Sequence, residues 1–264
     1  MIFFSEAEGD GLHIPGTYEL FEFPNLLPDD FPIALNKTGL LYILAALIAA
    51  IVWMVASRKQ SLVPKGIQNM MEAMYNFIHN NIVVEVMGND PAALRYVPFL
   101  ATTFSFILVA NLFEVFPLTL FPPTSRMAFP LMLAFTVWVI YVVQGIISQG
   151  FGHYFGGVLF PAGVPKALYL LLTPIELVSV FVIRPLTLAI RLFANMVAGH
   201  TLVTLFLIFS SYTLTHDPGL IPVFIPSFAG AVAFMGFEIF VSFIQAFIFT
   251  ILSAVYIAES IHGH

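Results

Sequence analysis

RPLTLAIRLFANMVAGH, Arg184 to His200, is sequence made for lipid that is interrupted by an arginine, an asparagine and a histidine. Leu186 to Ile190 and Leu192 to Ala194 flank Arg191 with little polarity on either side. A guanidinium keeps its proton at any pH a cell meets, so Arg191 cannot escape a low-dielectric site by becoming neutral. Holding an arginine at mid-bilayer costs from about 2.5 to well over 10 kcal/mol, which makes a functional charge the default reading. The alternative is a side chain snorkelling from near a helix end. From Thr187 to Leu214 only Gly199 interrupts the run, and no Pro/Gly/Asn cluster offers a turn. After Gly236 neither proline nor glycine occurs up to Ile261. The segments 167–215 and 221–261, separated by HDPG, are each about twice as long as one crossing of a bilayer requires. They are read as two long, tilted helices packed antiparallel, with their polar groups facing protein or water, and Pro174 and Pro185 mark kinks or the start of the tilted part.

Composition places the whole chain in the membrane. Of 264 residues, 59% are hydrophobic and 9% charged, and mean hydropathy is +0.96, whereas a water-soluble domain carries about a quarter charged residues. The absence of cysteine excludes disulfides, thiolate metal sites and cysteine nucleophiles. Much of the net charge of -6 comes from Glu6, Glu8, Asp10, Glu19, Glu22, Asp29 and Asp30, ahead of the first apolar run. That segment has no basic n-region and is not a signal peptide. It suits the translocated side of a membrane. Residues 1–37 are therefore read as an acidic extracytoplasmic segment and 38–264 as one transmembrane domain.

Thr38 to Ala56 is free of charge and, at about 1.5 Å per residue, nearly matches the roughly 30 Å hydrocarbon thickness. Arg58, Lys59 and Lys65 follow it and place its C-terminal end in the cytoplasm. Between Gly66 and Met87, Ile67, Met70, Met71, Met74, Ile78 and Ile82 recur at helical spacing among polar residues, which predicts an amphipathic helix with His79 on its solvated side. Arg95 marks the cytoplasmic start of a span from about Tyr96 to Leu120 that ends in NLFEVFP, with Glu114 at or near membrane depth; the alternative is an interfacial carboxylate in water. Pro122 to Arg126 reads as an external turn, Met127 to Ser148 as the return span, and Gly150 to Lys166, with His153, as a cytoplasmic loop. The expectation is an all-α integral membrane protein with about five crossing helices plus one amphipathic helix. Arg58, Lys59, Lys65, Arg95 and Lys166 lie inside against Lys37 and Arg126 outside, so the N-terminus is outside and the C-terminus cytoplasmic.

Helical spacing puts Arg184, Thr187, Arg191 and Asn195 on one face and His200 on another. Glu238, Ser242 and Gln245 form a second polar stripe. With the two helices antiparallel, His200 and Glu238 fall at similar depth, one base and one acid able to carry a proton. Glu176 and Ser179 lie on the cytoplasmic side of Arg191. A permanent cation with titratable groups on both sides suggests a proton path interrupted at the arginine. Where Gln245 serves only as glue between helices, or Glu176 only as an interfacial acid, the path loses those members.

RPLTLAIRLFANMVAGH closely resembles the motif of subunit a of F-type ATP synthases, and QAFIFTILSAVYI from Gln245 resembles that subunit's last helix. NLFEVFP and the ELVS run from Glu176 are consistent with it, so the resemblance covers about Tyr96 to the C-terminus. It implies that Arg191 faces a rotating ring of c subunits with Asn195 and Gln245 as polar neighbours. It further implies that Glu114, His200 and Glu238 line the inlet half-channel and that Glu176 and Ser179 lie on the exit side. Ala194 stands where the family commonly has glycine, and His200 and Glu238 stand where many members have the acid first and the histidine second. The implied partners are the c-ring, peripheral-stalk b subunits and lipid of a bacterial plasma membrane. No cofactor, metal or nucleic acid is implied. The chain has no GxxxxGK[ST] phosphate loop, so no nucleotide is assigned to it. The rival class is a self-contained secondary transporter binding an anionic substrate at Arg191, but such proteins usually show paired repeats with broken helices and no such symmetry is found.

Overall fold

The computed structural model describes residues 36–58, 63–116, 119–160, 168–216 and 221–262. Nearly all of the acidic N-terminal segment, together with Lys59, Pro161, Pro165 and Lys166, lies outside the described residues. The elements are helical: α1 Lys37–Arg58, α2 Ile67–Ile78, α3 Val97–Leu112, α4 Ala128–Gln149, α5 Phe151–Leu159, α6 Tyr169–Val178, α7 Arg184–His216 and α8 Ile221–His262. Among the described residues five helical stretches are long and apolar enough to cross a membrane, Lys37–Arg58, Pro91–Leu112, Ala128–Gln149, Tyr169–Thr213 and Pro222–Ile261. The chain is a multi-pass, all-α membrane protein. The last two stretches comprise 45 and 40 residues, which at about 1.5 Å per residue gives each some 60 Å, twice the hydrocarbon thickness.

Each helix is tied to the bundle by a few specific contacts. Asn36 caps α1 by accepting from the Gly39 amide at 2.9 Å, as expected of an asparagine at a helix start. Trp53 Nε1 donates to Ser105 Oγ at 3.0 Å, joining α1 to α3, and Tyr42 packs its ring against Phe106 and Phe129. The amphipathic segment buries Met71, Ile78, Ile82, Val83 and Met87. Its helix widens into a π turn at His79–Val84 before a last α turn at Glu85–Met87. His79 is only half-buried, its ring lying parallel to Tyr75. On the inner faces of α7 and α8, Leu188 and Leu192 share one buried cluster with Ala246, Phe249 and Ala254.

Two local expectations are corrected and one is refined. Gly150 to Lys166 is not simply a loop, because Phe151–Leu159 is helical. Glycines at 152, 156 and 157 disfavour a helix intrinsically, but Tyr154 and Val158 are buried and Phe155 stacks on Phe181 at 5.7 Å, so packing overrides propensity. The turn Pro122 to Arg126 is present but packed into the protein. It forms a short 3-10 helix at Pro123–Ser125 in which Thr124 and Ser125 are buried, because Thr124 Oγ1 donates inward to Asn111 Oδ1 at 2.8 Å. The span begun at Arg95 ends early, at Leu112, since the side chain of Thr119 donates back to the carbonyl of Phe113 and the chain bends at Leu120, φ 41°.

Candidate functional site

The polar side chains of the two long helices separate onto different surfaces. Along α7, Leu188, Leu192, Met196, Gly199, His200 and Val203 turn inward, a repeat of three and four residues. Arg191 lies off that stripe and is exposed, with no hydrogen bond or ion pair among the described residues. Leu186 and Ile190 beside it are exposed as well, so the cation sits on an apolar surface. Asn195, one turn on, is half-buried. The antiparallel register is fixed where Phe206 stacks on Phe234 at 5.2 Å and where Gly199 meets Glu238. That register brings Asn195 level with Gln245.

Gly199, the one possible break read between Thr187 and Leu214, does not break α7. The helix runs through, and the glycine is needed for a close approach: a Cβ there would lie 2.3 Å from Glu238 Oε1 and 2.5 Å from its Cδ. Glu238 is thereby held against the backbone beside His200, which confirms their similar depth. The acid that His200 approaches on another helix end, however, is Glu114: Nδ1 lies 3.8 Å from Oε1. Glu114 is 3% exposed, which rules out a carboxylate in interfacial water. Glu238 is close enough to act electrostatically on Glu114, so two acids and a histidine converge from α7, α8 and the end of α3. Phe121 packs edge-on against the imidazole at 5.5 Å.

Both oxygens of Glu114, Glu238 Oε2, Asn111 Nδ2, Ser242 Oγ and Gln245 Nε2 are buried without a protein hydrogen-bond partner. Such groups in native proteins are normally satisfied by ordered water, so this face of the bundle is chemically suited to a wetted path. The predicted stripe Glu238, Ser242 and Gln245 is buried along its length. Asn111, from NLFEVFP, accepts from Thr124 of the neighbouring turn, a residue that no spacing in the sequence linked to the site. Among the described residues no group of three His, Asp or Glu side chains is placed to hold a metal ion.

The other end is organised differently. Glu176 is half-buried on α6 and Ser179 opens the π turn Ser179–Ile183, which separates both from α7. A widened turn leaves a carbonyl without its usual partner, and Tyr141 Oη donates to the carbonyl of Val180 at 2.5 Å. Arg184 begins α7 and forms a salt bridge with Glu259, its guanidinium carbon 5.3 Å from the centroid of Tyr256. Gln149 Nε2 donates to the carbonyl of Ser260 at 2.9 Å. Sequence reading overlooked Glu259, although an acid near the end of an otherwise apolar antiparallel helix is a natural partner for an arginine at the start of its neighbour.

Residues 39–258 match the ATP synthase A chain family. The chain is 40% identical over 252 residues to the ATP synthase subunit a of Frankia alni, covering 94% of this chain and 86% of that protein. It is 35% identical to subunit a of Rhodococcus erythropolis, over 96% of this chain and 92% of the other, and 36% identical to that of a Nocardioides species, over 97% and 95%. Both the family match and these relatives span the bundle that carries Arg191, His200 and Glu238, and the chain therefore belongs to the ATP synthase A chain family.

Proposed function

We propose that this chain is the stationary, non-catalytic proton-conducting subunit of a rotary ATP synthase, working through two half-channels that Arg191 keeps apart. The observation that carries the reading is the contrast between the two arginines of α7. Arg184 is partnered within the chain, whereas Arg191 is exposed on an apolar surface with no hydrogen bond or ion pair among the described residues. A charge that cannot be neutralised and is presented to lipid depth is explained by a second protein bringing carboxylates to it. A ring of c subunits, each carrying one acid, fits that requirement.

On this reading protons enter from the side bearing the N-terminus and pass the buried cluster of Glu114, His200 and Glu238. Water held by the partnerless polar atoms of that cluster relays them. A ring carboxylate is neutralised there and can then travel through lipid. After a rotation it meets the exit side, where Glu176 and Ser179 lie, and loses its proton before approaching Arg191. The field of the guanidinium blocks direct passage of a hydrated proton between the half-channels. Asn195, one turn from Arg191 and half-buried, provides a hydrogen-bonding group near the passing carboxylate, and Gln245, level with it on α8 but buried, serves from the inner side. Each charge moved through the membrane potential supplies about 2.3 kcal/mol per 100 mV. Orientation follows from Arg58, Lys65 and Arg95 at one face against Lys37 and Arg126 at the other: N-terminus outside, C-terminus in the cytoplasm, in a bacterial plasma membrane. The peripheral-stalk b subunits are the partners that hold such a subunit still.

The test is Arg191→Ala in the complete complex reconstituted in vesicles. ATP-driven pumping and gradient-driven synthesis are expected to disappear while the complex still assembles. Arg191→Lys is expected to fail too, since an ammonium lacks the planar fork and releases its proton when desolvated. Coupled synthesis at normal rates in Arg191→Ala would end the proposal.

A further inference from the structure

We propose that Arg184 and Glu259 act as a positioning pair that fixes the rotation of α7 against α8 and so the direction in which Arg191 points. The inference rests on the role given above to Arg191. It begins from the π turn Ser179–Ile183, which ends immediately before Arg184. A widened turn gives α7 a different phase from a straight continuation of α6, and the contacts where α7 begins hold that phase. Two contacts act at that point. Tyr141 holds the carbonyl of Val180 inside the turn, and Arg184 is clamped between the Glu259 carboxylate and the face of Tyr256.

Over the next two turns the inner surface of α7 is apolar, with Leu188 and Leu192 buried, and apolar burial of that kind is weakly directional. A guanidinium that bonds a carboxylate and lies over a ring is directional on both counts. Arg184 and Arg191 are two turns apart, and a step of seven residues returns to within about 20° of the same face. Any rotation at the clamp is therefore passed almost unchanged to Arg191. Side-chain tips lie some 5–6 Å from a helix axis, so a 20° rotation moves the guanidinium of Arg191 by about 2 Å. In chemistry that depends on close approach, a misplacement of about 1 Å can cost on the order of a hundredfold in rate.

The test measures proton pumping per ATP hydrolysed in reconstituted complexes, each normalised to assembled complex, with Arg191→Ala as the control. Glu259→Gln and Arg184→Gln are each expected to lower pumping per ATP at least threefold. Arg184→Lys, which keeps the charge pair, is expected to retain more than half of it. The double Arg184→Gln with Glu259→Gln is expected to be no worse than either single, because the two residues act as one unit. It leaves neither charge buried without a partner, and so stands in for a single variant that does not assemble. A pair that only stabilises the fold changes the amount of complex and not its coupling. Normal pumping per ATP in Glu259→Gln, or in the double where Glu259→Gln does not assemble, overturns the proposal while leaving the role of Arg191 to its own control.

Discussion

Replacing Gly199 with alanine separates the placement of Glu238, the acid to which the proposed function gives a proton-carrying role, from the stability of the helix that supports it. The added Cβ would lie 2.3 Å from Glu238 Oε1, where ordinary contact begins at 3.4 Å, so the carboxylate has to retreat by about 1 Å. It is the far end of a flexible side chain and can do so by changing rotamer. Overpacking of this kind typically costs about 1–3 kcal/mol, and replacing glycine by alanine inside a helix returns about 1 kcal/mol. The net effect on folding is therefore close to zero and at most about 2 kcal/mol. The effect on function is expected to be larger, because Glu238 is moved away from Glu114 and His200. Pumping driven by ATP, followed by fluorescence quenching in vesicles and normalised to assembled complex, should fall about tenfold or more, since displacements near 1 Å carry penalties of that order. Adding Glu238→Asp should restore part of the loss, because the shorter acid clears the methyl group. Wild-type pumping in Gly199→Ala would show that the position of Glu238 does not matter to proton transfer. A large fall in the amount of assembled complex with pumping per complex unchanged would refute the reasoning from the other side.

Two further outcomes follow from the same geometry. If Glu114, His200 and Glu238 form one relay, the doubles His200→Ala with Glu114→Ala and His200→Ala with Glu238→Ala should each lose much less passive proton flux than the product of the single defects; multiplicative losses would mean independent sites. Gly145→Ala should weaken the docking of α5 on α4 by about 1–3 kcal/mol, because the new Cβ would lie 2.2 Å from Cε2 of the buried Tyr154 ring, and thermal denaturation of the purified complex should report it; an unchanged midpoint would mean that the ring moves aside freely.

The fold was legible where length and apolarity decide it. The first span, the return span and the two long helices each contain more lipid-compatible sequence than any loop tolerates, and the structure places helices there. What stayed hidden was structure decided by packing across the chain. Nothing in FGHYFGGVL announces a helix until Phe155 is seen lying on Phe181. Nothing in PPTSR announces burial until Thr124 is seen bonding Asn111. The π turns were likewise invisible, since a widened turn has no composition of its own. At the site, helical spacing alone sent Arg191 and His200 to different surfaces, and so they lie. Spacing could not tell which acid His200 faces, because Glu114 arrives from a third helix end far away in sequence. Nor could it explain Gly199, whose reason is a carboxylate on the neighbouring helix and not a turn.

The distribution of partners along α7 argues for a division of labour on one helix. Arg184 is neutralised by Glu259, His200 meets Glu114, and between them Arg191 alone keeps its charge outward. Had Arg191 turned to the inner face, its field would fall on Glu114 and Glu238 and hold both in their ionised forms, which would leave the cluster unable to pass a proton on. Under the proposed function, an outward Arg191 would leave the buried acids to exchange protons with water and would set a barrier for a carboxylate on another protein to negotiate. On that same proposal a different rotation would give an ion pair and no transport, and the angular position of α7 would matter as much as the identity of the residues it carries.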